Sequence, residues 1–331
     1  MPGKRQFDEQ LAALEQLRHQ PPQACLEPLR KALKNRSNYL VAKAADLVRE
    51  FHLAELIPEL LAAFERFFAD PVKTDPQCWA KNALSHALAS LDFQDATVFL
   101  RGMSHIQLEP VWGGQVDTAT TLRGTCALAL VPCRSLTETE LLNRLLELFA
   151  DKEKSVRAEA ARAIESVGSP PAALLLRLRA LLGNDEPEVL GACYNGILRI
   201  EGTASIPWLS RFLAHSDDVA AEAALAIAAD RSPQAFNALR DRFLQEHDRW
   251  FQGVLLSAIG LTRLPEGYDF LLNLVKTESP HAEAAIEAVC RSMPSPEIAR
   301  QLESIASGSP RLARALESHQ AKSTKQASGR P

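Results

Sequence analysis

The residues best suited to chemistry in this chain gather in one segment, His105–Thr121, with the sequence HIQLEPVWGGQVDTATT. Trp112 stands beside Gly113 and Gly114, with Glu109 and Asp117 on either side and Arg123 just beyond. Two adjacent glycines reach backbone conformations closed to other residues, so the segment reads as a shaped loop. Trp and Arg are over-represented at binding hot spots. The chemistry is therefore recognition, with Trp112 as an exposed anchor and Asp117 and Arg123 completing a patch. A structural reading competes with this one. In it Trp112 folds back over a junction between helices, and Asp117 or Thr118 caps the helix that follows.

Signals of catalysis are scarce. The eight histidines are scattered, and the chain has no H-E-x-x-H, no Gly-rich phosphate loop and no G-x-S-x-G. His86 and His105 lie nearest the segment and read as solvent-facing or locally bonded. The six cysteines (Cys25, Cys78, Cys126, Cys133, Cys193, Cys290) show no C-x-x-C spacing, so neither a zinc knuckle nor a redox dithiol is suggested. A chain of 331 residues needs no disulfide framework, so a reducing, cytoplasmic compartment is expected. No catalytic residue, metal or cofactor is expected, and the chain reads as non-enzymatic.

The elements that must position the segment come from periodicity. Apolar residues four apart mark one face of a helix. The sets are Leu40/Ala44/Val48, Trp79/Ala83/Ala87, Leu122/Cys126/Leu130, Val156/Ala160/Ile164, Val189/Cys193/Ile197, Val219/Ala223/Ile227, Phe251/Leu255/Ile259 and His281/Ala285/Val289. Successive sets lie 39, 43, 34, 33, 30, 32 and 30 residues apart. The middle member is Ala or Cys in seven of the eight, which lets neighbouring helices approach closely. Partner helices fall between them, for example over 96–103, 172–182 and 268–275. The step of 43 is where His105–Thr121 is inserted.

The fold expected is all-α: a right-handed α-solenoid, or alpha-alpha superhelix, of about eight helical hairpins. Residues 1–20 form an N-terminal helix or cap, 21–317 the solenoid with its insertion at 105–121, and 318–331 a disordered basic tail. Such arrays bind along the concave face of the second helices. Offsets of two, three and six from each stripe residue place Lys43, Asp46, Lys81, Asn82, Ser85, Thr125, Glu159, Arg162, Asn195, Glu222, Ser257, Glu283 and Glu287 there. Of these, Lys81, Asn82, Ser85, Arg162 and Asn195 join Glu109, Trp112, Asp117 and Arg123 as candidate partner-binding residues.

With 37 basic and 41 acidic side chains the net charge is -4, so no phosphate-tracking groove is announced and nucleic acid is not the expected partner. The N-terminus is polar, and no apolar run approaches the roughly 20 residues that cross a bilayer. No membrane association is expected.

The segment Asp151–Ile164, with its Val156-Arg157 pair and Ala-rich spacing, resembles the HEAT-repeat family, especially the short bacterial type of phycobilisome-lyase-like repeats. The resemblance implies a protein–protein scaffold, adaptor or assembly factor. It leaves two alternatives: a HEAT-like DNA glycosylase or other nucleic-acid-binding protein, in which Trp112 and Asp117 would be the aromatic and the acid, and a bilin lyase or lyase chaperone.

Overall fold

The computed structural model describes the backbone of residues 2–328 and the side chains of residues 6–320. Its helices form two compact units, residues 1–167 and 168–331.

In the first unit the order is α1 (Pro2–Gln16), α2 (Pro22–Leu33), α3 (Asn38–Glu50), α4 (Ile57–Arg66), a single turn α5 (Pro71–Thr74), α6 (Trp79–Ser90) and α7 (Ala96–Met103). A β-hairpin of β1 (Leu108–Val111) and β2 (Gly114–Asp117) follows, then α8 (Thr120–Leu130), α9 (Glu138–Phe149) and α10 (Lys154–Val167). Helices α3, α6, α8 and α10 pack side by side as an inner layer, with α2, α4, α7 and α9 against them.

The second unit repeats the plan with α11 (Pro170–Leu182), α12 (Pro187–Glu201), the short α13 (Ile206–Leu209), α14 (Asp218–Ala229), α15 (Pro233–Gln245), α16 (Arg249–Thr262), α17 (Pro265–Lys276), α18 (Ala282–Arg291), α19 (Pro296–Ala306) and α20 (Pro310–Ser328). Its inner layer is α12, α14, α16, α18 and α20. Each unit is thus an all-helical solenoid of paired helices, and the hairpin is the one departure from all-α among the described residues.

Local chemistry explains the boundaries. Ser37, Asp95, Ser169, Asp217, Ser232, Asp248 and Ser295 each accept a backbone N–H from the first turn of the helix they precede. Thr137 and Glu140 form a reciprocal capping box on α9. Inner helices α3, α6, α10, α12, α14, α16 and α18 are each followed within two residues by one with positive φ: His52, Asp92, Gly168, Gly202, Arg231, Arg263 and Met293. Five of these seven are not glycine, so the turn geometry is imposed by packing and not by local preference.

Seven of the eight stripes face the core as expected, with Val219 and His281 only half-buried. The set on α6 is off by one. Trp79 is exposed, and Ala80, Leu84 and Leu88 are the buried residues. At the C-terminus, the disordered tail expected from residue 318 is replaced as far as Ser328 by α20, which docks through Leu312 and Leu316. Residues 329–331 of that tail lie outside the described residues.

One close approach fixes the α7–α8 contact. A Cβ on Gly102 would collide with Cys126 Sγ and stand 3.5 Å from Phe64 Cζ. Overpacking costs about 1–3 kcal/mol, which exceeds the roughly 1 kcal/mol that alanine gains in helix propensity. Gly102→Ala is therefore expected to lower the urea midpoint. Adding Cys126→Ala should recover part of the loss, because it removes the sulfur that is struck. Independent effects of the two substitutions would show that the contact is not the cause.

Candidate functional site

The insertion is a β-hairpin with an exposed tip. Its strands pair antiparallel from Leu108↔Asp117 to Val111↔Gly114, leaving Trp112-Gly113 as a two-residue turn. Gly113 sits at φ 89°, a region that favours glycine. Trp112 at the tip is 103% exposed, and Ile106, Leu108, Val111 and Val116 are exposed with it. The junction-covering role for Trp112 is therefore not what the structure contains.

The base of the hairpin is held by buried polar groups. Gln107 donates its backbone N–H to Asp117 Oδ1 (3.1 Å) and its amide Nε2 to Asp75 O (2.8 Å) and Glu109 Oε1 (2.7 Å). Glu109 Oε1 also accepts from Gln77 N (2.5 Å) and Thr118 Oγ1 (2.7 Å). Burial pushes the Glu109 carboxyl upward, but the bonds from Thr118, Gln107 and Gln77 outweigh it and leave the group below its usual range. Asp117 Oδ1 accepts from Ala119 N (3.0 Å), ordering the entry to α8.

Arg123 closes the base. Its NH1 donates to Asp117 Oδ2 (2.7 Å) and His105 O (3.0 Å), and its Nε stands 3.1 Å from Asp151 Oδ2. One repeat earlier, Lys81 Nζ donates to Asp75 Oδ2 (2.9 Å) and Phe67 O (3.2 Å), with both ionic side chains fully buried. One repeat later, Arg157 donates to Asp151 O and Lys152 O. Acid and base are six residues apart each time: Asp75/Lys81, Asp117/Arg123 and Asp151/Arg157.

Beside the hairpin, α6, α8 and α10 enclose an open groove of about 460 Å³. Its lining mixes apolar Ala89, Leu128, Ala129 and Pro132 with polar His86, Thr120, Thr121, Thr125, Ser155 and Glu159. His86 Nε2 lies 3.2 Å from Thr125 Oγ1. Burial and the nearby Arg49 charge hold that imidazole below its usual range, so it is neutral at pH 7 and acts as a hydrogen-bonding wall. Gly124 leaves room for Glu159, whose Cγ would lie 2.7 Å from a Cβ placed there.

These positions correct part of the expected site. Asp117 and Arg123 are not partner-binding surface; they are buried and neutralise each other inside the base. Lys81 and Ser85 are likewise buried. The reason is the one-residue register error on α6, since each residue turns a helix by about 100°. Counted from Ala80, the outward offsets fall on Asn82, Ala83 and His86. Asn82 is half-buried and Arg162 is exposed, paired with Glu159. Asn195, in the second unit, donates Nδ2 to Gly191 O (2.9 Å). Glu109 is half-buried at the base, so only Trp112 remains as a free anchor on the hairpin.

The aromatic–acid pair of the glycosylase alternative is also lost, because Asp117 faces Arg123 and not a shared surface with Trp112. Sequence reading missed Asp75, Gln107 and Asp151, although the Asp-x5-Lys/Arg spacing was there to be counted. Burial pushes the Cys78 and Cys193 thiols up to about 12, away from the reactive thiolate form. Among the described residues, no three His, Cys, Asp or Glu side chains cluster as metal ligands. No helix among them is long and apolar enough to cross a membrane.

Residues 139–228 match the family model for HEAT repeats, so this stretch, which runs from α9 to α14, is built of HEAT repeats. Two solved structures are similar to most of the chain. One is human deoxyhypusine hydroxylase in complex with glycerol: 18% identity over 76% of this chain and 89% of that one, TM-score 0.29. The other is the complex of CpcE and CpcF of phycocyanin lyase from Nostoc sp. PCC7120: 17% identity over 74% of this chain and 91% of that one, TM-score 0.36. No curated protein matches the sequence. The expectation of a non-enzymatic chain is overturned by these neighbours, which are named for a hydroxylase and a lyase. At such identities and TM-scores neither activity passes to this chain.

Proposed function

We propose that this helical-repeat chain is a scaffold, adaptor or assembly factor that holds a protein partner between the β1–β2 hairpin and the groove of α6, α8 and α10. The observation that carries the reading is Trp112, a fully exposed indole on a hairpin whose base is locked by buried bonds. A hairpin bonded at its base leaves the backbone under the anchor less freedom to lose on binding. The groove that follows the hairpin supplies a concave surface with apolar and polar groups together, as recognition sites do. A cytoplasmic location belongs to the same reading, since all six cysteines are free thiols.

Trp112→Ala is the test. A hot-spot tryptophan is worth about 2 kcal/mol or more, so affinity for the partner recovered from the native host should fall by roughly 30-fold or more. The melting temperature should stay within about 1 °C, because a surface substitution away from caps and cores changes little. Unchanged affinity would remove Trp112 from the interface. A large drop in melting temperature would assign the indole to stability.

A further inference from the structure

The β1–β2 hairpin leaves backbone as well as side chains open to a partner. In an antiparallel pair, residues alternate between those whose N–H and C=O face the neighbouring strand and those whose groups face outward. Thr118 donates its N–H to Gln107 O (2.9 Å), which extends the ladder by one pair and fixes the alternation. Gln107/Thr118, Glu109/Val116 and Val111/Gly114 are the bonded pairs, and Leu108/Asp117 and Pro110/Gln115 lie between them. The backbone groups of Pro110 and Gln115 therefore point away from the ribbon, on opposite edges.

The two edges are not alike. Proline has no N–H, so the β1 edge offers no donor at Pro110, one of the ways in which proteins blunt a strand edge. The β2 edge lacks such a guard. Its residues are Gly114-Gln115-Val116-Asp117, with no proline, lysine or arginine, and the one charge, Asp117, is turned into the base against Arg123. Gly114, Gln115 and Val116 are all exposed. The N–H and C=O of Gln115 are thus a donor and an acceptor in strand geometry, on an edge ordered by the buried bonds below it. Another extended backbone is the group that satisfies both at once.

We propose that the partner enters as an extended peptide segment that adds a third strand along β2, bonded to the backbone of Gln115. This rests on the hairpin reading above and gives it a binding mode. Val111 and Val116 are exposed on the same face of the ribbon, so the segment that fits carries apolar residues at every second position, on that face. A second folded copy fits less well. The exposed part of β2 is only Gly114–Val116, and a short edge is itself a guard against pairing between folded copies. An extended segment brings no second body to the edge.

A phage-displayed library of random linear peptides, selected on the full chain, supplies the probe. Gln115→Pro removes the outward N–H but no bond between β1 and β2, because position 115 faces Pro110 at a non-bonded pair. Gln115→Ala removes the side chain and keeps the N–H. Enriched peptides should alternate apolar and polar residues and bind wild type and Gln115→Ala alike. They should bind Gln115→Pro roughly 10-fold or more weakly, because a peptide carbonyl loses its donor. In the wild type, bound peptide should slow amide exchange at Gln115, a readout that needs no variant to fold. Equal binding to Gln115→Pro, equal losses in Gln115→Ala and Gln115→Pro, or no slowing at Gln115 overturns the proposal, as does a selection that enriches no peptide. If Trp112→Ala alone loses the peptides, the hairpin tip keeps its role and the strand addition falls. If neither Trp112→Ala nor Gln115→Pro changes binding, both readings fall. A mass that doubles with concentration in place of peptide binding would give the edge to a second copy and likewise end the proposal.

Discussion

Lys81→Met is expected to cost about 3–5 kcal/mol of folding stability, the range for removing one partner of a buried ion pair. Methionine keeps most of the stem, so the loss is electrostatic and not a cavity. Asp75 would remain at 0% exposure with no countercharge, while still accepting bonds from Ala80 N (2.8 Å), Lys81 N (3.0 Å) and Asn38 Nδ2 (3.0 Å). Those bonds hold the start of α6, and Gln107 bonds the Asp75 carbonyl, so the damage should reach the hairpin. Urea unfolding of Lys81→Met should show a lower midpoint with the slope unchanged. Asp75→Asn added to Lys81→Met should recover part of the loss, because it removes the orphaned charge. A loss below about 1 kcal/mol would mean that Asp75 reaches water once the lysine is gone.

The repeat was legible because it rests on the most redundant signal available, a small residue at the centre of an apolar stripe. Cys126, Ala160, Cys193 and Ala223 all sit in the core where the count puts them. The count failed on α6 for a physical reason. Trp79 is the most hydrophobic-looking residue at the start of that helix, yet its ring stacks edge-on against Tyr39 at 5.5 Å on the surface while Ala80 turns inward. An aromatic body satisfied by one neighbour does not need the core. From that slip followed the placement of Lys81 and Ser85 on the binding face.

The hairpin itself could not be read, because its strands are four residues each and carry Pro110 and Gly114, residues poor in strands. What makes them pair is tertiary: Gln107, Glu109 and Asp117 find partners on the turn before α6 and on α8. A two-stranded ribbon is marginal on its own, and here its base is part of the solenoid's buried polar chain. The same acids that looked like a recognition patch are the reason that Trp112 can be presented without being buried. α20 shows the converse, a helix whose polar sequence hides the two leucines that dock it.

Arg123→Met is the second large effect expected, again about 3–5 kcal/mol, because one guanidinium serves two acids. Without it, buried Asp117 loses its countercharge, Asp151 loses an ion-pair partner, and His105 O loses its donor. The hairpin should loosen as well as the fold, so amide exchange at Gln107 and Thr118 should accelerate more than in the second unit. Acid tests the same contact from the other side. Burial raises the Asp117 carboxyl, but the N–H groups of Ala119 and Gln107 and the Arg123 charge outweigh it and hold the group below its ordinary 3.8. A depressed folded value gives stability that is fully present above the unfolded value and lost as pH falls through the folded one. Wild type should therefore lose stability below about pH 4, and Asp117→Asn, less stable at neutral pH, should lose less over that interval. Parallel acid profiles for the two proteins would show that Asp117 is not ionised against Arg123 in the folded chain.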